Sequence, residues 1–270
     1  MSKETKVRHI LSLSGGKDSA ALAIHMKGKI ENMEYLFCDT GKELPETYDY
    51  LNKLEAYLGQ PVVRLNSEYS FDHWLKTYSG FLPSQKMRWC TKNLKIKPFE
   101  AYCGEDTIYS YIGLRADENR TGYISKKPNI KPIYPFKEDG IKKDDVFKIL
   151  EESGVGAPEY YKWRSRSGCY FCFYQRKSEW VGLKENHPDL FEKAKAYEKT
   201  TTPSGKPYTW NQNLSLDELD ENKEKILADR KKHVERERAK APNKPLIQLF
   251  DTAHDMENDW EEPSCLVCDL

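Results

Sequence analysis

Long apolar runs are missing from this 270-residue chain. No stretch of roughly 18 or more apolar residues occurs, so the sequence predicts no membrane-spanning helix. The first nine residues are charged and lack the apolar segment of a secretory signal. We therefore expect a cytoplasmic protein with no membrane partner.

A net charge is also missing, because 43 Lys and Arg side chains balance 43 Asp and Glu side chains. The balance is uneven along the chain. Residues 251–270 hold seven carboxylates and no Lys or Arg, so the preceding 250 residues carry an excess of basic side chains. A basic body with an acidic tail is compatible with a polyanionic partner and equally with a solvated surface.

Seven cysteines are present in a chain that we place in a reducing compartment. Disulfides are rare there, so the cysteines favour a metal site, a cluster or redox chemistry over a disulfide framework. They are Cys38, Cys90, Cys103, Cys169, Cys172, Cys265 and Cys268.

Apolar and amphipathic segments alternate through the first part of the chain. Apolar strands are predicted over 7–13, 33–38, 61–65 and 107–114, and helices over 18–26, 46–58, 94–103 and 144–153. This order predicts an α/β fold: an open, mostly parallel twisted sheet with helices on both faces. We expect a nucleotide-binding domain over residues 1–157. A C-terminal helical or irregular extension over 158–270 would hold the cysteine segment, a charged helix at 216–241 and the acidic tail.

The segment Ser14-Gly15-Gly16-Lys17-Asp18-Ser19 lies between the first predicted strand and the first predicted helix. Paired glycines let amide groups converge on an anion, and a helix N-terminus adds partial positive charge. The pattern differs from the GxxxxGK[ST] loop because its glycine spacing is wrong. It predicts a phosphate site, and an ordinary glycine turn is the structural alternative.

The six-residue segment resembles the SGGxDS loop of the ATP pyrophosphatase (PP-loop) superfamily, which is adenine nucleotide alpha hydrolase-like in fold. Asp39-Thr40-Gly41, followed by Pro45-Glu46-Thr47, resembles the phosphoadenosine phosphosulfate (PAPS) reductase family within it. The segment from Gly113 to Arg120 resembles the GxRxxES…R element of that family, with Asn119 in place of the usual serine. A helix cap and a solvated charged loop are the respective structural alternatives.

The resemblance implies that the chain binds ATP and Mg²⁺. The implied nucleotide-binding residues are Ser12, Ser14, Gly15, Gly16, Lys17, Asp18, Ser19, Asp39, Thr40, Gly113 and Arg115. The implied catalytic residues are Lys17, Asp18, Asp39, Arg115 and Arg120. Asp117 or Glu118 would hold Mg²⁺ or orient an arginine.

Cys90, in Arg-Trp-Cys-Thr, and Cys169 and Cys172, in a C-x-x-C pair, are the predicted metal ligands. A C-x-x-C pair with a distant third cysteine is typical of metal and cluster sites, and family members with a [4Fe–4S] cluster have cysteines at both places. Trp89 stands where adenylylsulfate reductases have a second cysteine, so the fourth ligand is open between Cys103, Cys265, Cys268 and a non-cysteine group. Zinc and a metal-free redox pair are alternatives, and Cys38 is expected to be a packing residue.

The C-x-x-C pair at Cys265 and Cys268 suits a sulfur or electron relay, or belongs to a dispensable tail.

The chain lacks the ECGxH-like segment with which PAPS and adenylylsulfate reductases attack sulfur. Relatives that keep the RWCT and GCxxC segments without it are the sulfurtransferases of DNA phosphorothioation systems of the Dnd and Ssp types. The resemblance therefore implies DNA, a cysteine desulfurase and other modification-system proteins as partners. Alternatives are a PAPS or adenylylsulfate reductase, a tRNA thiolation enzyme, and a noncatalytic nucleotide-binding module of a defence system.

Overall fold

Five parallel strands form the centre of the computed structural model, which describes residues 5–119, 125–198, 208–211 and 214–240. The strand order is β3-β2-β1-β4-β5, and every neighbouring pair is parallel. The strands are β1 (Val7–Ser12), β2 (Met33–Asp39), β3 (Val62–Asn66), β4 (Thr107–Tyr111) and β5 (Ile130–Ile133).

Eleven α-helices, a π-helical turn and a 3₁₀ turn occur in the described part of the chain. The helices up to the sheet's last strand are α1 (Lys17–Met26), α2 (Pro45–Leu58), α3 (Phe71–Thr77), α4 (Trp89–Thr91) and α5 (Lys97–Cys103). Those after it are α6 (Pro135–Glu138), α7 (Lys143–Glu152), α8 (Lys177–Asn186), α9 (Pro188–Lys195), α10 (Leu216–Glu221) and α11 (Lys223–Lys240). The π-helical turn is Lys92–Ile96, between α4 and α5, and the 3₁₀ turn is Glu159–Lys162.

Both faces of the sheet are covered. Leu11 and Phe37 point to one face, where α1, α2 and α7 complete a core, whereas Ile10 and Leu36 point to the other face and meet α5. Parallel strands buried on both sides carry unbroken apolar runs, which here are Ile10-Leu11 in β1 and Tyr35–Cys38 in β2. The predicted α/β sheet with helices on both faces is confirmed.

A third, aromatic core lies beside the sheet. It joins Phe71 and Trp89 to Phe171, Trp180 and Trp210. The ring centroids of Phe71 and Phe171 are 4.4 Å apart, and those of Phe171 and Trp210 are 4.9 Å apart. This core therefore uses side chains from both sides of the boundary predicted at residues 157 and 158, and that domain division stays a prediction.

The sequence patterns located the main elements better than their limits. The predicted strand at 107–114 ends at Tyr111, and the charged stretch at 216–241 forms two helices separated at Asn222. Strand β5 and helices α3, α8 and α9 were not predicted. No helix in the described ranges is long and apolar enough to cross a bilayer.

Candidate functional site

The glycine loop, Ser14–Ser19, connects the central strand β1 to α1 at the carboxyl edge of the sheet. The chain continues from β1 to β2 on one side, and β4 returns on the other side. This reversal of strand order is the place where open α/β sheets bind ligands. The edge also receives the ends of β2, at Asp39, and of β4, near Gly113.

Both glycines of the loop are required by close contacts. Gly15 has a φ of +75°, and a Cβ there would lie 2.6 Å from Cγ2 of Thr47 on α2. A Cβ on Gly16 would lie 2.9 Å from the Ser167 hydroxyl oxygen. The backbone therefore passes through a gap that any side chain would close.

The loop's serines form hydrogen bonds within it. The Ser14 amide donates to the Ser19 hydroxyl oxygen at 3.1 Å, and this hydroxyl donates to the Gly16 carbonyl at 3.2 Å. Lys17 is the first residue of α1, where the amides of the first turn lack intrahelical partners. Such amides and the helix dipole together favour a bound anion.

Two tyrosines from the 3₁₀ turn also contact this loop. The Tyr160 hydroxyl donates to the Gly15 carbonyl at 2.6 Å, and the Lys17 amide donates to the Tyr161 hydroxyl at 3.2 Å. The Lys17 ammonium also lies 5.6 Å from the centre of the Tyr161 ring. The sequence patterns did not single out these tyrosines, although the aromatic composition of their segment is a weak signal.

Asp18 and Arg115 form the charged centre of the site. Asp18 is 2.9 Å from Nη1 of Arg115 and 3.3 Å from the ammonium of Lys17. Burial opposes ionisation of Asp18, but these two cations outweigh it and lower the pKa of Asp18 to about 2. Asp18 is therefore a carboxylate that orients two cations.

Arg115 also pairs with Asp117 at 3.1 Å and with Glu118 at 3.2 Å. Of the two roles predicted for these acids, the structure thus shows the orientation of an arginine. Burial lowers the pKa of Arg115, but the carboxylates outweigh burial and keep this pKa above its ordinary value. A phosphate contact by Arg115 stays a prediction, and Arg120 lies outside the described residues.

Gly113 lets the end of β4 approach the start of α1. A Cβ at this position would lie 3.0 Å from the carbonyl oxygen of Asp18 and 3.4 Å from the amide of Ser19. Because a backbone atom cannot move aside as a side chain can, Gly113 sets the distance between β4 and the loop.

The end of β2 contributes Asp39 and Thr40. Oδ1 of Asp39 accepts hydrogen bonds from the Tyr48 hydroxyl and the Gly41 amide, both at 2.8 Å. The Thr40 hydroxyl donates to Glu43 at 2.9 Å and lies 3.2 Å from Sγ of Cys169. Asp39 thus lies at the predicted edge, whereas the Thr40 hydroxyl contacts the cysteine segment.

Two further buried hydroxyls near the loop have no hydrogen-bond partner among the described residues. They belong to Ser12 and Thr47, which are 3% and 1% exposed. Buried polar groups normally have partners, so these groups are candidates for ligand contacts. Ser12 was predicted to bind the nucleotide. Thr47 was noted only as part of the Pro45-Glu46-Thr47 segment, which resembles the PAPS reductase family.

Cys90, Cys169 and Cys172 line one apolar cavity of about 40 Å³. Burial and the neighbouring Glu43 carboxylate raise the pKa of the Cys169 thiol well above its ordinary value. The described part of the chain contains no group of three or more His, Cys, Asp or Glu side chains arranged to hold a metal ion. The donor chemistry therefore fits a cluster, but the side chains do not converge on one metal position.

Cys38 and Cys103 are not candidates for a fourth ligand at this cavity. Both belong to the core between the sheet and α5, and burial raises their pKa values to about 11 and about 12. This placement agrees with the packing role predicted for Cys38. It contradicts the prediction that Cys103 could be the fourth ligand. Cys265 and Cys268 lie outside the described residues.

The cysteine segment, residues 164–172, is hydrogen-bonded to the glycine loop. The Ser167 hydroxyl donates to the Ser14 hydroxyl at 3.2 Å, and Nη2 of Arg164 donates to the Cys169 carbonyl at 2.9 Å. Arg164 is 2% exposed, and its Nε and Nη1 have no hydrogen-bond partner in the ranges that the structure describes. The glycine loop and the segment that carries Cys169 and Cys172 are thus in direct contact.

A comparison with protein families finds one match, in the region that forms the sheet. Residues 8–134 match the phosphoadenosine phosphosulfate reductase domain. The matched segment contains the glycine loop, Asp39 and Arg115, and it ends before Cys169 and Cys172.

Two similar curated proteins are described as uncharacterized. An uncharacterized protein of Methanocaldococcus jannaschii is 28% identical over 198 residues, which are 68% of this chain and 40% of that protein. A second protein of the same organism matches over 45% of its length. The chain thus spans less than half the length of these curated relatives.

Two solved structures were found to be similar to part of this chain. PAPS reductase from Candida auris, in a phosphate complex, has a TM-score of 0.48 and 16% identity over 62% of this chain and 82% of its own. The U34-tRNA thiolase NcsA from Methanococcus maripaludis, with its [4Fe-4S] cluster, has a TM-score of 0.39 and 18% identity over 72% of this chain and 71% of its own.

Proposed function

We propose that this chain is an ATP pyrophosphatase and sulfurtransferase that modifies the DNA backbone. In this reaction ATP adenylates a nonbridging phosphate oxygen, pyrophosphate leaves, and sulfur then displaces AMP. One oxygen of the phosphate departs with AMP, so the product is a phosphorothioate. The sulfur must arrive at the oxidation level of sulfide, or as a persulfide from a cysteine desulfurase whose S–S bond an external thiol reduces.

The observation that carries this proposal is the contact between the glycine loop and the cysteine segment. Ser167 contacts Ser14 at 3.2 Å, and Cys169 contacts Thr40 at 3.2 Å. An activating nucleotide and a sulfur-handling group within one site suit a reaction in which adenylation precedes sulfur attack. A nucleotide site alone would not require cysteines at this position.

The site has groups for the first half of the reaction, in which pyrophosphate leaves. The amides at the start of α1 and the ammonium of Lys17 would stabilise the negative charge that develops on the leaving pyrophosphate. Asp18 holds Lys17 and Arg115 in place for this purpose. Mg²⁺ would reduce the same charge when it is bound with ATP.

Cationic and aromatic side chains near the cysteines support a polyanionic substrate. The guanidinium groups of Arg88 and Arg166 lie 5.7 Å and 4.9 Å from the centre of the Tyr174 ring. Tyr174 lines the cysteine cavity. Phosphate contacts combined with ring stacking are the usual means by which proteins bind nucleic acid strands with little sequence preference.

We also propose that Cys90, Cys169 and Cys172 hold an iron-sulfur cluster in the active enzyme. When bound, a cluster would offer iron as a binding site for sulfur beside the nucleotide. Cys169 would have to lose its proton on binding, since metals bind the thiolate.

The product of the reaction provides the decisive test. DNA from cells that contain this chain and its sulfur donor should release phosphorothioate-linked dinucleotides after nuclease digestion, measured by mass spectrometry. The Lys17→Ala variant should abolish them, because the leaving pyrophosphate loses its cation. The Lys148→Ala variant is a suitable control, because that lysine is exposed on α7, away from the loop.

Two other assays on the same cells and protein identify the rival functions. Thiolated nucleosides in digested tRNA that depend on Lys17 would indicate a tRNA thiolation enzyme. Release of sulfite from PAPS that depends on Lys17 would indicate a reductase. Either result, together with DNA that contains no sulfur, would contradict the proposal.

A further inference from the structure

Tyr160 and Tyr161 contact the glycine loop from a segment more than 140 residues away in sequence. We propose that Tyr161 binds the diphosphate of the nucleotide directly and that Tyr160 positions the loop for it. The inference rests on the nucleotide site proposed above and adds two residues to it. Both tyrosines lie outside residues 8–134, which match the PAPS reductase domain.

Tyr160 fixes the orientation of one peptide group. Its hydroxyl donates to the Gly15 carbonyl at 2.6 Å. In a trans peptide the carbonyl and the following N–H point in opposite directions, so this bond directs the Gly16 amide away from Tyr160. Because Gly15 lacks a side chain, its peptide would otherwise rotate easily. Tyr160 is 1% exposed, and burial raises the pKa of its hydroxyl, which keeps it a donor.

Tyr161 lies where an anion at the start of α1 would bind. The Lys17 amide, at the first position of the helix, donates to the Tyr161 hydroxyl at 3.2 Å. A hydroxyl that accepts this hydrogen bond can donate its own proton to a phosphate oxygen. The Lys17 ammonium, 5.6 Å from the centre of the same ring, is held beside this position by a cation–π contact.

The two tyrosines also connect the nucleotide with the cysteines. They precede Arg164, which donates to the Cys169 carbonyl, and Ser167, which donates to Ser14. A diphosphate that contacts Tyr161 therefore contacts the segment that carries the C-x-x-C pair. This arrangement places the sulfur-handling residues at a fixed distance from the activating nucleotide.

Calorimetry on the full chain with Tyr161→Phe and Tyr160→Phe tests the inference, with magnesium pyrophosphate and AMP as separate probes. We expect Tyr161→Phe to weaken pyrophosphate binding about tenfold or more, because a hydrogen bond to a charged group is lost. Tyr160→Phe should weaken it to a lesser extent. The affinity for AMP, which has no diphosphate, should stay within about twofold of the wild type in both variants.

Tyr50→Phe is the matched control. Tyr50 is also buried, and its hydroxyl also donates to a glycine carbonyl, that of Gly156, at 2.8 Å. It should lower the thermal unfolding midpoint about as much as Tyr160→Phe and leave pyrophosphate affinity unchanged. Unchanged or tighter pyrophosphate binding by Tyr161→Phe, or equal weakening by Tyr50→Phe, would overturn the inference alone. If the wild type bound neither pyrophosphate nor ATP, the nucleotide site itself would be wrong and the inference with it.

Discussion

Individual cysteines in this chain have clearly different environments. Cys38 and Cys103 are packed among apolar side chains of the sheet core, with pKa values raised by burial. Cys90, Cys169 and Cys172 line a cavity next to the glycine loop, and Thr40 lines it too. Cysteine chemistry depends on access, and only the second group lines a cavity.

This division predicts which cysteines a cluster needs. Anaerobically purified wild type should absorb at about 400 nm and contain iron. The variants Cys90→Ser, Cys169→Ser and Cys172→Ser should each lose this absorption and the iron. Cys103→Ser, the control, should keep its iron because that thiol lies in the core. Measurements of iron, sulfide and visible absorption check the prediction. Iron content that depends on Cys103, or a wild type that contains no iron, would contradict it.

The contrast between Lys17 and Tyr161 shows how far sequence reasoning reaches at the residue scale. Lys17 belongs to a contiguous motif whose glycines and hydroxyls predict a phosphate site without any tertiary information. Tyr161 reaches the same site only through folding, from 144 positions away. No local spacing encodes such a contact, so it could not be found from one sequence.

At the scale of elements, the pair of Asp18 and Arg115 joins the start of α1 to the chain that follows β4. Asp18 lies in the first turn of α1, and Arg115 follows four residues after β4. The pair spans the strand-order reversal, and Gly113 keeps the two segments close. The charge of Asp18 therefore stabilises the geometry of the site and the fold.

Asp18 should make stability depend on acid. Its pKa is about 2 in the folded protein, below the value of roughly 3.9 expected when unfolded. Ionised Asp18 thus contributes stability above about pH 4, and this contribution is lost as the pH falls toward about 2. Urea unfolding at several pH values should show Asp18→Asn to be less stable than the wild type at pH 7, by on the order of 2 kcal/mol.

The difference between wild type and Asp18→Asn should shrink as the pH falls through this interval. Asp144→Asn, at an acidic residue in the first turn of α7, is the comparison variant. A wild type and an Asp18→Asn variant with parallel stability curves from pH 7 to about pH 2 would contradict the assigned role.

Elements differ in how visible they are in the sequence. Strand β1 is central in the sheet and carries the buried residues Ile10 and Leu11 just before the glycine motif, so the sequence predicts it directly. Strand β5 has four residues, includes Pro132, and pairs on one side only. Proline is tolerated at a sheet edge but reads as a break in a sequence pattern, so β5 could not be predicted.

At the scale of the whole molecule, the aromatic core determines whether the chain can be divided into parts that fold independently. Leu44, Phe71, Trp89 and Leu94 lie before residue 157, and all belong to the core that Tyr160, Phe171, Trp180 and Trp210 complete. The change in composition after residue 157 is real in the sequence. It marks a change of local structure and of chemistry, but the apolar surfaces on its two sides are buried against each other.

A fragment of residues 1–157 should therefore fail to fold cooperatively. It would expose Phe71, Trp89 and Leu94, and each uncovered side chain costs about 1.5–3 kcal/mol. The sum is comparable with the total stability of a typical domain, about 5–15 kcal/mol. The fragment would also lose Tyr160 and Tyr161 from the glycine loop. A fragment of residues 1–240 keeps all three cores, and we expect it to melt in one transition, like the full chain. Thermal circular dichroism and binding of a hydrophobic dye distinguish the two fragments.

A sharp transition with nucleotide binding in residues 1–157 would mean that the sheet domain is independent, and that the tyrosines and cysteines were added to a site already complete.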